Sequence, residues 1–227
     1  MKELLKKDIQ LQWRHGFWIV YFVLAAIYIA VLLNLPAAIR LKVSLFIILN
    51  DTTVLGVVFV GALVLLEKRQ AVIQSLFVTP LEPAQYIWSK TISLTLIATC
   101  MSLVVYLPAW TINTFTPVVV ITIIFIAATF VLLGLGLAAK VDTINRYFGV
   151  LMGISMVMIL PLIPYMLLDQ SPLFLILPYV ASLDLMLGTL DPLPPWRILL
   201  DAVLLVAWGA VAYRFALKRV TRYLVYT

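Results

Sequence analysis

Glu67-Lys68-Arg69-Gln70-Ala71-Val72-Ile73-Gln74-Ser75-Leu76-Phe77-Val78-Thr79-Pro80-Leu81-Glu82-Pro83, running on to Tyr86 and Lys90, is the longest stretch polar enough to leave a bilayer and patterned enough to fold. Val72, Ile73, Leu76 and Phe77 recur at i, i+1, i+4 and i+5, one face of a short helix, with Lys68, Arg69, Gln70, Gln74 and Ser75 on the other. An apolar stripe outside lipid needs something to bury it. What lies on either side decides the setting, because both flanks read as lipid-embedded helix.

The chain has 227 residues, of which 64% are hydrophobic and 11% charged, and a mean hydropathy of +1.13. Those values lie far outside the range of soluble domains. No stretch is long and polar enough for a soluble catalytic module, so residues 1–227 read as a single membrane domain. The net charge of +6 does not call for nucleic acid, since membrane proteins collect Lys and Arg on their cytoplasmic loops. Cys100 is the only cysteine and lies in an apolar run, so no intrachain disulfide or cysteine metal site is expected.

About twenty apolar residues cross the hydrocarbon core. Six stretches are candidates: Phe17 to Leu33, Leu41 to Leu66, Ala84 to Leu107, Pro117 to Ala139, Tyr147 to Leu168 and Trp196 to Leu217. The second is interrupted by Asn50, Asp51, Thr52 and Thr53, and the fifth carries Pro161 and Pro164, each of which removes a helix hydrogen bond and predicts a kink. Residues 1–16 read as an amphipathic helix in the interface, with Met1, Leu5, Ile9 and Trp13 at i, i+4 spacing, Asp8 elsewhere on the wheel, and Trp13 and Trp18 bracketing the entry point. Residues 169–195 are too hydrophobic for an ordinary loop and too rich in proline for a span. They suit short re-entrant helices that cap the outer side. The expected fold is therefore all-α and polytopic, with six transmembrane helices.

All but Arg40, Lys42 and Arg197 of the 16 Lys and Arg residues fall on one side of that arrangement. The positive-inside rule then places both termini and residues 67–83 in the cytoplasm, in a multi-pass protein of the cell membrane in contact with membrane lipid. Gly56, Gly61, Gly134 and Gly136 lie within spans, where small residues mark close helix packing.

Catalytic chemistry has little to work with. There is no Gly-rich phosphate loop, so this chain does not bind ATP by that route. His15 is the only histidine, which leaves no His-x-x-x-His metal helix and no Ser/His dyad; no catalytic or metal site is assigned. Asp51 falls about ten residues into its span, roughly 15 Å deep at ~1.5 Å per residue. A charge there costs about 2.5–3.5 kcal/mol unless it faces a cavity or partner. Two readings stay open: Asn50 and Asp51 line a transport pathway, or the span begins near Val54 and they sit closer to the outer interface. Asp201 is within i, i+4 reach of Arg197, its expected partner.

The opening stretch resembles the cytoplasmic segment between the second and third spans of type V ABC exporter permeases, closest to the small fluoroquinolone-export-like ones. The matching positions are Glu67, Lys68 and Arg69 at the end of a span, Leu76 to Leu81 in the turn, then Tyr86 and Lys90. The Gly that often follows the Glu is replaced by Ala71 or its neighbours, which makes that turn tighter or more continuous. The resemblance implies a coupling helix for a separate nucleotide-binding ATPase subunit, which would hold the ATP and Mg while this chain has no cofactor of its own. It assigns that role to Glu67, Lys68, Arg69, Val72, Ile73, Leu76, Phe77, Thr79 and Pro80. It also implies a second permease subunit, as homodimer or heterodimer, and a pathway for a lipophilic or amphipathic substrate past Asn50, Asp51, Pro161 and Pro164. The rival expectations are an ion-coupled secondary carrier and a non-transporting membrane assembly subunit.

Overall fold

The structure, a computed structural model, describes residues 2–77, 80–107, 117–159 and 172–225. The described residues are helical, with no strand among them. In order they form α1 (Lys2–Arg14), α2 (Phe17–Leu33), α3 (Ala37–Arg69), α4 (Val72–Phe77), α5 (Pro83–Tyr106), α6 (Pro117–Lys140), α7 (Ile144–Ile159), a 3-10 helix (Pro172–Ile176), α8 (Pro178–Leu187), α9 (Pro195–Val220) and a closing π turn (Thr221–Val225).

Proline sets where several of these helices begin. Pro83, Pro117, Pro178 and Pro195 each occupy the first position, where the missing N–H has no intrahelical partner to lose and the fixed φ suits a helix start. Gly16, at φ 73, separates α1 from α2 and permits a 62° bend between them. Trp13 and Trp18 stack across that bend at 5.1 Å between ring centroids.

Among the described residues, four helices are long and apolar enough to cross a membrane: α3, α5, α6 and α9 with its terminal turn. The bent pair α1–α2 counts as a fifth. Of the expected fifth span, α7 covers only the first part, and Pro161 and Pro164 lie outside the described residues. Among the described residues the candidate spans therefore number four to five, and the rest of the expected fifth span of the six lies outside them.

The polar residues Asn50 to Thr53, which interrupt the apolar run, do not interrupt the helix. α3 runs unbroken for 33 residues, about 50 Å, against a hydrocarbon thickness of about 30 Å. Its two threonines are satisfied without opening the helix. Thr53 donates to the backbone carbonyls of Leu49 and Asn50, and Thr52 shares a hydrogen bond of 2.9 Å with Ser102 of α5. Intrahelical back-bonding of this kind leaves the backbone ladder in place.

The core lies where α3, α5, α6 and α9 meet. Glycines let these helices approach. A Cβ on Gly61 would come within 2.1 Å of the Tyr147 ring, and one on Gly134 within 2.6 Å of Val60. Tyr147 fills that slot, and its hydroxyl donates to the Val57 carbonyl at 2.7 Å. Close packing is thus what these glycines provide. The segment before α9 folds inward: every residue from Pro178 to Met186 is buried, with α8 packed on α9, α6 and α3.

Candidate functional site

The opening stretch does not form one continuous amphipathic helix. Lys68 and Arg69 close α3, and Ala71 takes a left-handed φ of 55, after which α4 sets off in a new direction. The turn expected to be tight or continuous is a break, made where a glycine would be the easiest occupant. Ile73 of α4 is only 4% exposed and packs into the chain's own core, and Leu76 is half-buried against the same core. Val72 is half-buried, while Arg69, Gln74 and Pro80 are exposed. Thr79 lies outside the described residues.

Glu67 and Lys68, adjacent in the last turn of α3, make different attachments. The Lys68 ammonium donates to the carbonyls of Ala139 at 2.7 Å and Val141 at 2.9 Å and pairs with Asp142 at 3.5 Å. It therefore caps the C-terminal end of α6, where unpaired carbonyls and the helix dipole favour a cation. Glu67 turns inward. One carboxylate oxygen accepts from the Tyr86 hydroxyl at 2.7 Å and the other pairs with the Lys90 ammonium, both on α5.

Lys90 has a second acid. Asp8 of α1 reaches it at 2.5 Å and accepts from the Ser89 hydroxyl at 2.5 Å. One turn further along α1, Gln12 donates to Ser93 at 2.9 Å. Lys90 is 1% exposed, and Asp8, Gln12, Glu67, Tyr86, Ser89 and Ser93 are all buried. Two carboxylates on two helices thus share one ammonium on a third, with hydroxyls taking up the remaining acceptor positions. Buried charge is tolerated when it is paired and hydrogen-bonded in this way.

A cavity of about 270 Å³ opens beside this junction, lined by Lys68, Ala71, Ile73, Gln74, Asp142, Tyr223 and Leu224. It brings the α3–α4 turn, the end of α6 and the carboxy-terminal turn to one place.

A family model for the fluoroquinolones export permease protein family matches residues 1–227. The chain belongs to that family. It is 24% identical over 224 residues to fluoroquinolones export permease proteins from two Mycobacterium tuberculosis strains, CDC 1551 / Oshkosh and H37Rv, covering 97% of this chain and 94% of each relative. The resemblance drawn from Glu67 to Lys90 therefore stands, and the chain is a membrane permease of an exporter family rather than a member of an enzyme family.

Two further polar groups sit inside the permease. In the middle of α3, Asp51 is 7% exposed, two residues from the helix midpoint at Thr53. Its Oδ1 is buried without a hydrogen-bond partner. Asn50 beside it is exposed. At the end of the bundle away from the basic cluster, Asp184 of α8 receives a two-pronged contact from Arg197, at 2.6 Å from Nε and 3.2 Å from Nη2. Asp201 is buried next to that pair. The local expectation that Arg197 pairs with Asp201 gives way to a tertiary partner, because Asp184 offers both oxygens to the planar guanidinium.

Sequence reasoning singled out Glu67, Tyr86 and Lys90 but missed what they hold. Asp8 and Gln12 are the omission. Their i, i+4 spacing puts two polar groups on one helical face, which was the available signal. Asp184 was likewise missed, hidden in an apolar run.

Proposed function

We propose that the chain is the membrane-spanning subunit of an ATP-driven ABC exporter, powered by a separate ATPase subunit that docks at α4 and carries the ATP and Mg. The observation that carries this reading is the α3–α4 junction. A short helix follows the end of a spanning helix whose last turn is fixed by Glu67 to α5, where Lys90 also holds Asp8 of α1, and by Lys68 to the end of α6. Force applied to α4 enters the bundle at that turn. Glu67, Lys68 and Arg69 transmit it, and Val72, Leu76, Phe77, Thr79 and Pro80 form the contact, with Ile73 anchoring α4 from beneath.

In this reading the basic side is cytoplasmic and includes both termini, the membrane is the cell membrane, and a second permease subunit completes the pathway. Asn50 and Asp51, with Pro161 and Pro164, face the cargo. The names of the relatives support a lipophilic or amphipathic small molecule as that cargo.

The test is co-purification. Leu76→Asp and Phe77→Asp chains are expected to insert in the membrane and to lose the ATPase, and with it substrate-stimulated ATP hydrolysis in proteoliposomes. Undiminished recovery of the ATPase with both variants would refute docking at α4.

A further inference from the structure

Three exposed cations lie along one face at the basic end of α9. Arg214, Lys218 and Arg222 are spaced four residues apart, and with Leu217 and Thr221 they line a groove of about 510 Å³. Several other cations have partners within the chain. Lys68 caps α6, Lys90 holds Asp8 and Glu67, and the Arg219 guanidinium, one position from the groove, lies over the rings of Phe215 and Tyr223. Arg214, Lys218 and Arg222 have no acid within ion-pair distance among the described residues. Aromatic residues give the depth of the groove. Trp88 of α5 stacks on Tyr213, the residue before Arg214, at 5.4 Å between ring centroids, and Trp196 is exposed at the opposite end of α9. Trp and Tyr gather at the two water interfaces of a bilayer. From Trp196 to Tyr213 the helix rises about 26 Å at ~1.5 Å per residue, close to the ~30 Å hydrocarbon thickness, which puts Arg214 at the level of the lipid phosphates and Lys218 about 6 Å further out. Below Arg214 the same face is apolar and exposed. Val203, Ala207 and Val211 follow one another at helical spacing and continue into Arg214 and Lys218, so one strip runs from uncovered aliphatic side chains to uncovered cations.

We infer that this strip is a binding site for an anionic phospholipid, with an acyl chain along Val203, Ala207 and Val211 and the phosphate in the groove. The phosphate oxygens accept from the Arg214 guanidinium, the Lys218 ammonium and the Thr221 hydroxyl, and Arg222 bends back on its aliphatic stem to add its charge. The apolar half of the strip decides between sources of the phosphate. A free phosphate meets the cations and leaves the aliphatic side chains uncovered, and an acidic protein surface in water reaches no deeper than Arg214. A zwitterionic lipid covers the whole strip but carries its own cation to the groove, and gains less from the three basic residues. An anionic lipid matches both halves at once.

The experiment equilibrates the full chain, solubilised in detergent and held on resin, with equimolar dioleoylphosphatidylglycerol and dioleoylphosphatidylcholine, and measures the lipid retained after washing by mass spectrometry. The two lipids share their acyl chains and differ in net charge. Each basic side chain at a membrane surface favours the anionic lipid about fivefold, so two in contact with the phosphate predict a preference of about 25-fold. Arg214→Gln and Lys218→Gln are each expected to lower it about fivefold, and the triple variant Arg214→Gln, Lys218→Gln, Arg222→Gln to abolish it. Arg219→Gln removes a charge from the same turn but not from the groove, and is expected to leave the preference in place. All four positions are at the surface or over exposed rings, and the single variants carry the test if the triple variant is poorly made. Equal retention of the two lipids by the wild-type chain, a preference that survives the triple variant, or an equal fall in Arg219→Gln would overturn the site. Release of the anionic lipid by sodium phosphate, but not by sodium chloride of the same ionic strength, would overturn it in favour of a free anion. A triple variant that keeps the lipid preference and loses a co-purifying protein would overturn it in favour of an acidic partner.

Discussion

Replacing Lys90 by methionine deletes the one positive charge that faces Asp8 and Glu67, and keeps a flexible side chain of similar length in its place. Both acids are buried, so neither can turn to water without moving its helix. Removing one partner of a buried ion pair costs about 3–5 kcal/mol, because the remaining charge stays desolvated and unpaired. Here two carboxylates are stranded together, and the cost is expected at the top of that range. Against a typical total stability of about 5–15 kcal/mol, a loss of that size dominates. The structure relaxes where attachment is weakest, which is α1. That helix meets the bundle through Asp8 and Gln12 and through its contacts with α2 and α5.

The acids behave differently. Asp8→Asn or Glu67→Gln leaves one carboxylate on Lys90, a balanced pair, and is expected to cost about 1 kcal/mol, the net worth of an ordinary hydrogen bond. The triple variant Asp8→Asn, Glu67→Gln, Lys90→Met removes every charge and is expected to recover most of what Lys90→Met loses. Thermal unfolding of the detergent-solubilised chain, followed by fluorescence-detected size-exclusion chromatography, ranks the four proteins. Limited proteolysis within residues 2–14 reports release of α1. Equal loss on removing an acid or the lysine, or a triple variant no better than Lys90→Met, would refute the account of one ammonium balancing two acids.

Two other substitutions probe the backbone and the packing. Ala71→Gly removes the cost of a Cβ at φ 55, about 1–2 kcal/mol, less the extra chain entropy of glycine, about 0.5–1 kcal/mol, so a net gain of about 0.5–1 kcal/mol is expected in the same unfolding assay. Gly61→Ala drives a methyl into the Tyr147 ring and is expected to cost about 1–3 kcal/mol by overpacking, with Gly61→Ala plus Tyr147→Leu less destabilised than the sum of the two.

The helices are largely legible because their signals are local. Apolar run length marks α3, α5, α6 and α9, and proline marks where most of them start. Burial of residues 178–186 follows from apolar content that a surface loop would not carry. The charge pairings are not legible, because they are tertiary. Asp8 meets Lys90 across 82 positions, and only the bend at Gly16 brings α1 under α5. Arg197 shows the same limit at shorter range. The i, i+4 rule nominates Asp201, and a partner 13 residues upstream takes the guanidinium instead. Asn50 to Thr53 were legible as a polar interruption of the run, but not the hydrogen bonds by which Thr52 and Thr53 close onto α5 and within α3.

The two attachments of the α3 terminus are what make the position of Glu67 and Lys68 informative. Neighbouring residues on a helix point about 100° apart, so one faces α5 while the other faces the end of α6. A shift of the α3 terminus toward α6 lengthens the Glu67 contacts, and a shift away strips Lys68 from the carbonyls that it caps. The Glu67–Lys90 contact is not exchangeable with water, because both residues are buried, so a small displacement moves α5 and α1 with it or breaks a charged contact outright. An exposed salt bridge at this place would simply re-form with solvent. Burying the pair is what ties the end of α3 rigidly to α5 and, through Lys90, to α1.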